Sequence, residues 1–393
     1  HAMKQRNRLE SSLRLFLPAI LALAILAAPG AAAADDAPIA LGYADPAVET
    51  DPRPNLGFEL PPAAYPLVPV EQVVVRGMRH GLVAATARSL TFRVLDLRLP
   101  GRVPLELGRT YDSGVAIALP PFPPAGWRSP GSEDDLGRGW ILSYSASLLE
   151  TAGGILMATP EGDVLRWDDA GDGTLRLRYD APTEHRSLER TGPSEIVETR
   201  RDGTRWIYTG MARPSGSYRP TRIEDRSGNF VSLSYESGYL RRIENSDGAW
   251  IELLRPAFDP SWRETAFPRS RIVRATDGTG RTVEFDYDER GLLTSVADAT
   301  GKIWVYAYDA DGRLVSAADP LGDVYLDAGY DAGGGVSSCE ADAGRWSFEY
   351  DPGARTTRAT DALGNVWEYV HDAEDGITTE LREPEGGVHR LLL

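Results

Sequence analysis

The residues of this sequence that could do chemistry are scattered, and two short acidic stretches are the nearest approach to a metal site. Asp309-Ala310-Asp311-Gly312 and Gly171-Asp172-Gly173 resemble the start of a calcium loop. Neither continues with the regularly spaced ligands and the bidentate Glu of an EF-hand. Asp and Gly are also typical of tight turns, because Asp bonds to the local backbone and Gly accepts a positive φ. We therefore interpret both stretches as turns.

Histidine and serine residues add no catalytic grouping. Ser113 and Ser129 lack the Gly-x-Ser-x-Gly context of a hydrolase nucleophile. Apart from His1 in the cloning remnant, the histidines are His80, His185, His371 and His389, which are far apart and form no His-x-x-x-His pair. We expect a protein that is not an enzyme, with no catalytic, cofactor-binding or metal-binding residues and no cofactor.

The elements that carry these residues are predicted to be β-strands separated by glycine turns. Large apolar residues stand three and five positions after a turn glycine, as Val283 and Phe285 do after Gly280, and Tyr often stands at the seventh position. A period of two after a turn is typical of a strand that buries one face. The pattern follows Gly162, Gly203, Gly228, Gly248, Gly280, Gly301 and Gly364.

The spacing of these glycines makes the strands a repeat. From residue 280 to residue 364 the turn glycines are 21, 21, 22 and 20 residues apart, with Asp-x-x-Gly or Asp-Gly at the corners. The fold class is therefore predicted to be all-β, a meander of antiparallel β-hairpin repeats of about 20–22 residues. The pattern slips by one residue at Gly322 and Gly344, where we expect a β-bulge. Residues 256–268 are predicted to form an inserted loop.

The repeat register gives most aromatic residues and the single cysteine a packing role. Nine Trp and sixteen Tyr on an exported β-surface could stack on sugar rings. Most of them, however, occupy core-facing positions, so a glycan site would depend on Trp127, Trp262 or Tyr218, which lie outside the register. Cys339 holds the same place in its unit as buried aliphatic residues in others, and we expect a buried, unreactive thiol.

The N-terminus predicts export. Four basic residues precede an apolar run from Leu15 to Ala28 and the small residues 31–34, the pattern of a Sec-type signal peptide cleaved after Ala34. We expect a secreted or cell-surface protein with no membrane span after cleavage. The predicted domains are residues 1–34 (a cloning remnant and the signal peptide), 35–69 (a Pro/Ala-rich linker), 70–150 (a β module) and 151–393 (the hairpin repeats).

Charge and cysteine content narrow the possible partners. The formal net charge is −16, which argues against binding to nucleic acid or to an anionic membrane, because both require a basic surface. One cysteine cannot form an intrachain disulfide, so stability must come from packing.

The recurring Tyr-Asp followed by Gly-x-Leu resembles the YD repeat of the RHS family. The best copies are 287–293 (YDERGLL) and 308–314 (YDADGRL), and the resemblance covers about residues 150–393. Upstream, 96–101 (DLRLPG), 109–113 (RTYDS) and 136–140 (LGRGW) resemble the module that precedes the repeats in many RHS proteins.

This resemblance implies an arc of an RHS-type β-shell, which in bacterial toxins of the family encloses a toxic C-terminal domain. The sequence departs from that pattern, because no self-cleavage aspartates and no C-terminal cargo are recognisable and the repeats run to Leu393. We expect a piece of a longer protein that continues the repeats.

Three functions follow for testing. The first is a secreted scaffold that encapsulates or presents a C-terminal toxin in competition between cells, with that cargo and its delivery machinery as partners. The second is an extracellular adhesin that binds a cell-surface glycan or protein and holds no cargo. The third, an enzyme acting on polysaccharides, would need a close pair of functional carboxylates that the many turn Asp residues hide.

Overall fold

The fold is known from a computed structural model. It describes residues 79–80, 82–84, 88–114, 135–162, 164–171, 174–177, 186–211, 216–255, 271–341, 344–372 and 378–390. The predicted signal peptide, the linker at 35–69 and the loop expected at 256–268 lie outside these ranges. Within them, no helical segment combines the length and the apolar character needed to cross a membrane.

The first strands form a small antiparallel sheet, which we call the module (residues 79–142). In the part of the chain that is described it has five strands in sequential order. They are β1 (Arg79–His80), β2 (Val83–Ala84), β3 (Ser89–Leu99), β4 (Leu105–Asp112) and β5 (Trp140–Leu142). Long pairing between β3 and β4 makes this hairpin the centre of the module.

The next eight described strands close into a ring. They are β6 (Ser147–Thr151), β7 (Gly154–Ala158), β8 (Val164–Asp169), β9 (Leu175–Leu177), β10 (Ser187–Gly192), β11 (Glu195–Thr199), β12 (Arg205–Gly210) and β13 (Ser217–Glu224). Each strand pairs with the next, and the first residues of β13 return to pair with β6. This closure was not predicted from the sequence, which indicated only an open meander.

A long antiparallel meander leaves the ring through the second half of β13. Its strands are β14 (Phe230–Glu236), β15 (Tyr239–Asn245), β16 (Trp250–Leu254), β17 (Arg274–Asp277), β18 (Thr282–Tyr287), β19 (Leu293–Ala297), β20 (Ile303–Tyr308), β21 (Leu314–Ala318), β22 (Val324–Tyr330), β23 (Val336–Ala341), β24 (Gly344–Asp351), β25 (Thr356–Thr360), β26 (Val366–His371), β27 (Thr378–Arg382) and β28 (Val388–Arg390). The predicted all-β hairpin meander is confirmed.

Alternate residues of the repeat strands are buried as predicted. In β18 and β20, Val283, Phe285, Trp304 and Tyr306 are all at most 5% exposed. Their neighbours along each strand face the other side, so the sheet has one apolar face and one exposed face. Cys339 is also buried on the apolar face, and burial raises the pKa of its thiol to about 12.

Both turns of a repeat unit use the same hydrogen bonds. In the turn after β19, Oδ1 of Asp298 accepts from the backbone N–H groups of Thr300 (2.7 Å) and Lys302 (3.0 Å). In the turn after β18, Oδ1 of Asp288 accepts from two N–H groups in the same way, each at 2.9 Å. The glycine at the fourth position has a positive φ, +83° at Gly301. The predicted Asp-x-x-Gly corner is thus an Asp-capped turn.

The two slips in the repeat have different causes. At Gly322 the predicted bulge is present, because the pairing of β21 with β22 shifts register between Ala317 and Ala318. At Gly344 the bulge prediction is wrong. This glycine is itself paired with Ala341 in an unshifted ladder, and the shorter connection from β23 to β24 accounts for the displaced pattern.

The seventh position of the repeat holds a residue that bonds back to the preceding unit, and we call it the corner residue. Five corner tyrosines donate their hydroxyl hydrogen to a backbone carbonyl 14–16 residues earlier, with O···O distances of 2.6–2.8 Å. They are Tyr235, Tyr287, Tyr308, Tyr330 and Tyr350. Arg255 is the corner residue of its unit and donates to the carbonyl of Leu240 in the same way.

The residues whose carbonyls accept these bonds, here called anchors, share one position in the ladder. They are Pro220, Leu240, Ile272, Leu293, Leu314 and Val336. In every case pairing with the next strand starts two residues after the anchor. The hydrogen-bonded ladder with the next strand therefore does not include the anchor. The corner side chain supplies the donor that the buried carbonyl of the anchor would otherwise lack.

The exposed face of the sheet carries cross-strand ion pairs. On β25–β28, Arg358 pairs with Glu368 at 2.9 Å, Glu368 with Arg382, and Glu380 with both Arg382 (2.7 Å) and Arg390 (3.2 Å). Arg242 bridges two glutamates on β15 and β16 similarly. Such exposed pairs add little stability individually, but they keep this face polar. An apolar strip formed by Ile303, Val305 and Val324 interrupts it.

The corner hydrogen bond can be tested with Tyr287→Phe. Removing the hydroxyl leaves the buried Ile272 carbonyl without its donor, so we expect the free energy of unfolding in urea to fall by about 1–3 kcal/mol. As a control, Leu321→Ala changes a side chain that is 83% exposed at a turn, and its effect should stay within about 0.5 kcal/mol. Equal, small effects of both substitutions would contradict the role given to the corner residue.

Candidate functional site: the surface between the module and the repeats

The module lies against the row of anchors and completes their hydrogen bonding. Three anchors donate their backbone N–H to it: Ile272 to the carbonyl of Asp135 (2.8 Å), Leu314 to the hydroxyl of Tyr111 (2.8 Å) and Val336 to the carbonyl of Arg88 (3.0 Å). Each of these anchors also accepts a bond from a corner tyrosine. The module therefore accepts hydrogen bonds from the N–H groups of these anchors, and the corner residues donate to the carbonyls of the same anchors.

The module also contacts corner side chains. Asp135 accepts from Nη2 of the corner residue Arg255 at 2.6 Å, both side chains being largely buried. Nε1 of Trp140 donates to the hydroxyl of the corner residue Tyr308 at 2.8 Å, and that hydroxyl donates onward to an anchor. Each bond joins the module directly to the repeat unit that it covers.

Arg88 makes the corresponding contact further along the sheet. Its guanidinium bonds to Asp331 at 2.6 Å and lies 4.4 Å from the centre of the corner ring of Tyr350. A Cβ on Gly335 would lie 2.5 Å from Nε of Arg88, so a larger residue in this turn would displace the guanidinium. Contacts of the module thus extend from Asn245 to Tyr350, across ten strands of the meander.

The sequence 136–140 (LGRGW) is shaped by a close approach of two backbones. Gly137 has a φ of +94°, and a Cβ there would lie 2.8 Å from the carbonyl oxygen of Gly291. Arg138 bonds to the carbonyl of Asp311 at 3.2 Å. Glycine is required at this point because the segment crosses directly over a turn of the repeats.

A buried ion pair lies at the centre of the surface. Nε of Arg109 donates to both carboxylate oxygens of Asp96, at 3.1 and 3.0 Å, and Nη2 donates to the hydroxyl of Tyr306 at 2.9 Å. The guanidinium also lies 4.8 Å from the ring centre of Trp140 and 5.1 Å from that of Tyr306. Arg109 is 1% exposed, so this cation is held by one carboxylate and two aromatic faces from both sides of the surface.

Aromatic rings surround the ion pair. Trp140 packs against Phe92, Tyr111 and Tyr306, with ring centres 5.1–5.6 Å apart and edge-on geometry. Burial by itself would lower the pKa of Arg109, but the Asp96 carboxylate and the hydroxyl of Tyr306 together more than offset this, and the pKa lies above its ordinary value. The pair is therefore a fixed charge pair. Nε of Arg109 is bonded to Asp96 and Nη2 to Tyr306, so the arrangement is suited to holding β3 and β4 of the module against β20.

A second buried charged cluster lies inside the ring of β6–β13. The carboxylate of Glu198 is fully buried and accepts from Arg186 (2.8 Å), Arg200 (3.1 Å) and the hydroxyl of Tyr208 (3.0 Å). Burial raises the pKa of Tyr208 well above its ordinary value, and Glu198 adds to this. Glu198 is paired across the ladder with Trp206, on the inward face. This group was not predicted from the sequence, although a Glu at the inward position two residues after Ile196 was a usable signal.

The residues singled out from the sequence are separate in the structure. Asp309 caps its turn and pairs with Arg313 at 2.7 Å, so its carboxylate is engaged by the protein itself. Ser113 is buried and accepts from the backbone of Leu90. Tyr218 is 7% exposed and donates to Glu150, which removes it as a ring for stacking on sugars.

Other candidate residues fall partly outside the described ranges. Trp127, Trp262, Ser129, His185 and residues 172–173 lie outside them. His371 is half-buried between two threonines, and His389 is exposed beside Glu383. Among the described residues, His, Cys, Asp and Glu form no group of three that could hold a metal ion.

The role of the ion pair can be tested with Asp96→Asn. This change leaves Arg109 buried with an uncompensated charge, so we expect a loss of about 3–5 kcal/mol in the free energy of unfolding. Asp168→Asn is the matched control, because Asp168 pairs with Arg166 on the exposed surface and should change stability by less than about 1 kcal/mol. An Asp96→Asn protein as stable as this control would show that the pair does not hold the surface together.

Comparison with known protein families gives two matches. Residues 268–303 and 287–324 match the family described as RHS Repeat. Residues 89–167 match a domain of unknown function, DUF6531, which includes β3, β4, β5 and the first strands of the ring. No curated protein sequence matches the chain.

Solved structures that are similar to the chain cover it only in part. "Structure of Photorhabdus luminescens Tc holotoxin pore, Mutation TccC3-D651A" has 12% identity and a TM-score of 0.30, and the match covers 65% of this chain and 15% of that one. "Crystal Structure of TcdB2-TccC3 without hypervariable C-terminal region" has 10% identity and a TM-score of 0.26, covering 75% and 22%. The match thus spans less than a quarter of either of those chains. The chain thus carries RHS repeats at residues 268–324, behind a DUF6531 match at residues 89–167.

Proposed function

We propose that this protein is an exported, non-catalytic scaffold, the first arc of an RHS shell that encloses or presents a C-terminal effector used against other cells. One observation carries the proposal: the two faces of the long sheet differ in chemistry, and the module covers the apolar one. A wall that separates a contained volume from solvent needs this asymmetry, because its outer surface must stay hydrated while its inner surface packs.

The contacts of the module support the role of a fixed end-piece. It binds anchors and corner residues from Arg255 to Tyr350 through backbone and side-chain bonds. A ligand-binding lid would instead be expected to leave some polar groups facing a cleft. The Arg109–Asp96 pair is enclosed at the middle of the contact, where Arg109 also bonds to Tyr306 of the sheet.

The alternative of an adhesin is less well supported by the same geometry. Its carbohydrate contacts would need exposed aromatic rings, whereas the repeat aromatics at the core-facing positions are buried or half-buried. A glycan array separates the two functions, because a container should give no saturable binding. Saturable binding of one glycan class by the mature protein would favour the adhesin.

Export can be tested at the N-terminus. We expect the protein recovered from outside the cytoplasm of a bacterial host to begin at Asp35, because a signal peptidase would cut after Ala34. The measurement is N-terminal mass spectrometry of that fraction, with Ala32→Arg and Ala34→Arg together as the control that blocks cleavage. Recovery of an uncleaved chain in the cytoplasm alone would count against export.

Containment can be tested by protease protection of the complete gene product. We expect the region that follows the repeats to survive digestion in the native protein and to be degraded once the shell is opened by mild denaturant. Asp96→Asn should lower the denaturant concentration at which protection is lost, whereas Asp168→Asn should not. Degradation of the C-terminal region at one rate in native and opened protein would rule out enclosure.

A further inference from the structure

One unit of the repeat replaces the corner tyrosine with histidine. His371 lies at the seventh position after Gly364 and is followed by Asp372, so His-Asp stands where other units have Tyr-Asp. It pairs across the ladder with Thr378, just as Tyr287, Tyr308 and Tyr330 pair with Leu293, Leu314 and Val336. His371 is thus a corner residue that can gain a proton near neutral pH.

The residues at the positions that correspond to anchors change together with the corner. In the units with corner tyrosines they are aliphatic at Leu293, Leu314 and Val336, whereas on either side of His371 they are Thr357 and Thr378. Nε2 of the imidazole lies 2.9 Å from Oγ1 of Thr357, and Nδ1 lies 3.2 Å from Oγ1 of Thr378. Both ring nitrogens therefore have a hydroxyl within hydrogen-bonding distance, and a neutral imidazole in either tautomer is satisfied.

The ladder explains why this corner bonds to hydroxyls. Pairing of β25 with β26 includes Thr357 opposite Tyr369, and the N–H of His371 donates to the carbonyl of Arg355. The anchor peptide is thus part of the ladder here, unlike the anchors of the tyrosine corners. The corner side chain consequently holds β25 and β27 together through the two threonine side chains.

The surroundings favour the neutral ring. Thr357 and Thr378 are buried, and they are the side chains that β25 and β27 present to the imidazole. The charged groups of these strands, Arg358, Glu380 and Arg382, lie on the opposite face in ion pairs. Asp372 is the charged group that favours the protonated ring, and the side chain of Arg355 is exposed. Burial outweighs Asp372 and holds the pKa of His371 below its ordinary value of 6.5.

We propose that His371 is a pH-sensitive latch, which holds the hairpin of β27 and β28 on the sheet at neutral pH and releases it in acid. Because the folded form binds a proton less readily than the released form, the contribution of the latch is complete above about pH 6.5. It is lost as the pH falls below that value. The inference does not rest on the proposed function, since it concerns the sheet itself.

Hydrogen exchange of the whole protein at about pH 7.5 and pH 5.0 tests the latch. After correction for intrinsic exchange rates, we expect protection of Thr378–Arg382 and Val388–Arg390 to fall by up to about tenfold in acid. The strands β18–β21, with tyrosine corners, should keep theirs. In His371→Gln this pH dependence should disappear, because a neutral amide can bond to both hydroxyls and does not titrate.

His389→Gln is the matched control, since His389 lies on the same hairpin but is exposed and paired with Glu383. This variant should keep the acid-induced loss of protection. A second measurement, the protonation midpoint of the His371 ring in the unaltered protein, is made by NMR and assigned through contacts with Thr357 and Thr378. A midpoint below 6.5 supports the latch; a midpoint at or above 6.5, or the same pH response in His371→Gln, overturns it.

Discussion

A buried peptide carbonyl that has left the strand ladder must find a donor, and the repeats of this protein are built around that requirement. Each anchor lies two residues before its strand begins to pair with the next unit. The corner hydroxyl reaches back to it, so the Tyr of the Tyr-Asp pair is a structural hydrogen-bond donor and the Asp is a turn cap. Arg255 shows that the position selects for a donor of sufficient length rather than for an aromatic ring.

The same requirement explains the module. Anchor N–H groups at Ile272, Leu314 and Val336 face it, and it supplies two backbone carbonyls and one hydroxyl in return. Leucine or valine at an anchor packs with the sheet, while the module closes the remaining polar group. The cost of enclosing Arg109 is offset by Asp96 and by two aromatic faces. Module and repeats are therefore one hydrogen-bonded body along this row.

Much of the fold could be predicted from the sequence, because the signals are local. Asp298 and Gly301 mark a turn between strands. The spacing of two between Trp304 and Tyr306 indicates which face of the following strand is buried. The closure of β13 onto β6 and the ion pair at Arg109 could not be predicted, since both depend on residues brought together from distant parts of the chain. Arg109, Tyr111 and Trp140 were noticed as parts of family motifs, but a motif does not state which partner each side chain will meet. The role proposed for His371 was not predicted, because it depends on the hydroxyls of two threonines that only the fold brings beside its ring.

The span of the contacts sets how the structure responds to force. Corner bonds join residues 14–16 positions apart, so a pull on β28 loads one hairpin at a time and peels the sheet in small steps. Contacts of the module with the meander join residues at least 120 positions apart. Once detachment reaches Tyr350, the bonds between the module and the meander must also be broken. The strands up to β24 therefore resist force more than the strands that follow. In mechanical terms, the module fixes the part of the sheet that it contacts, while the strands beyond β24 can be pulled away and can pair again.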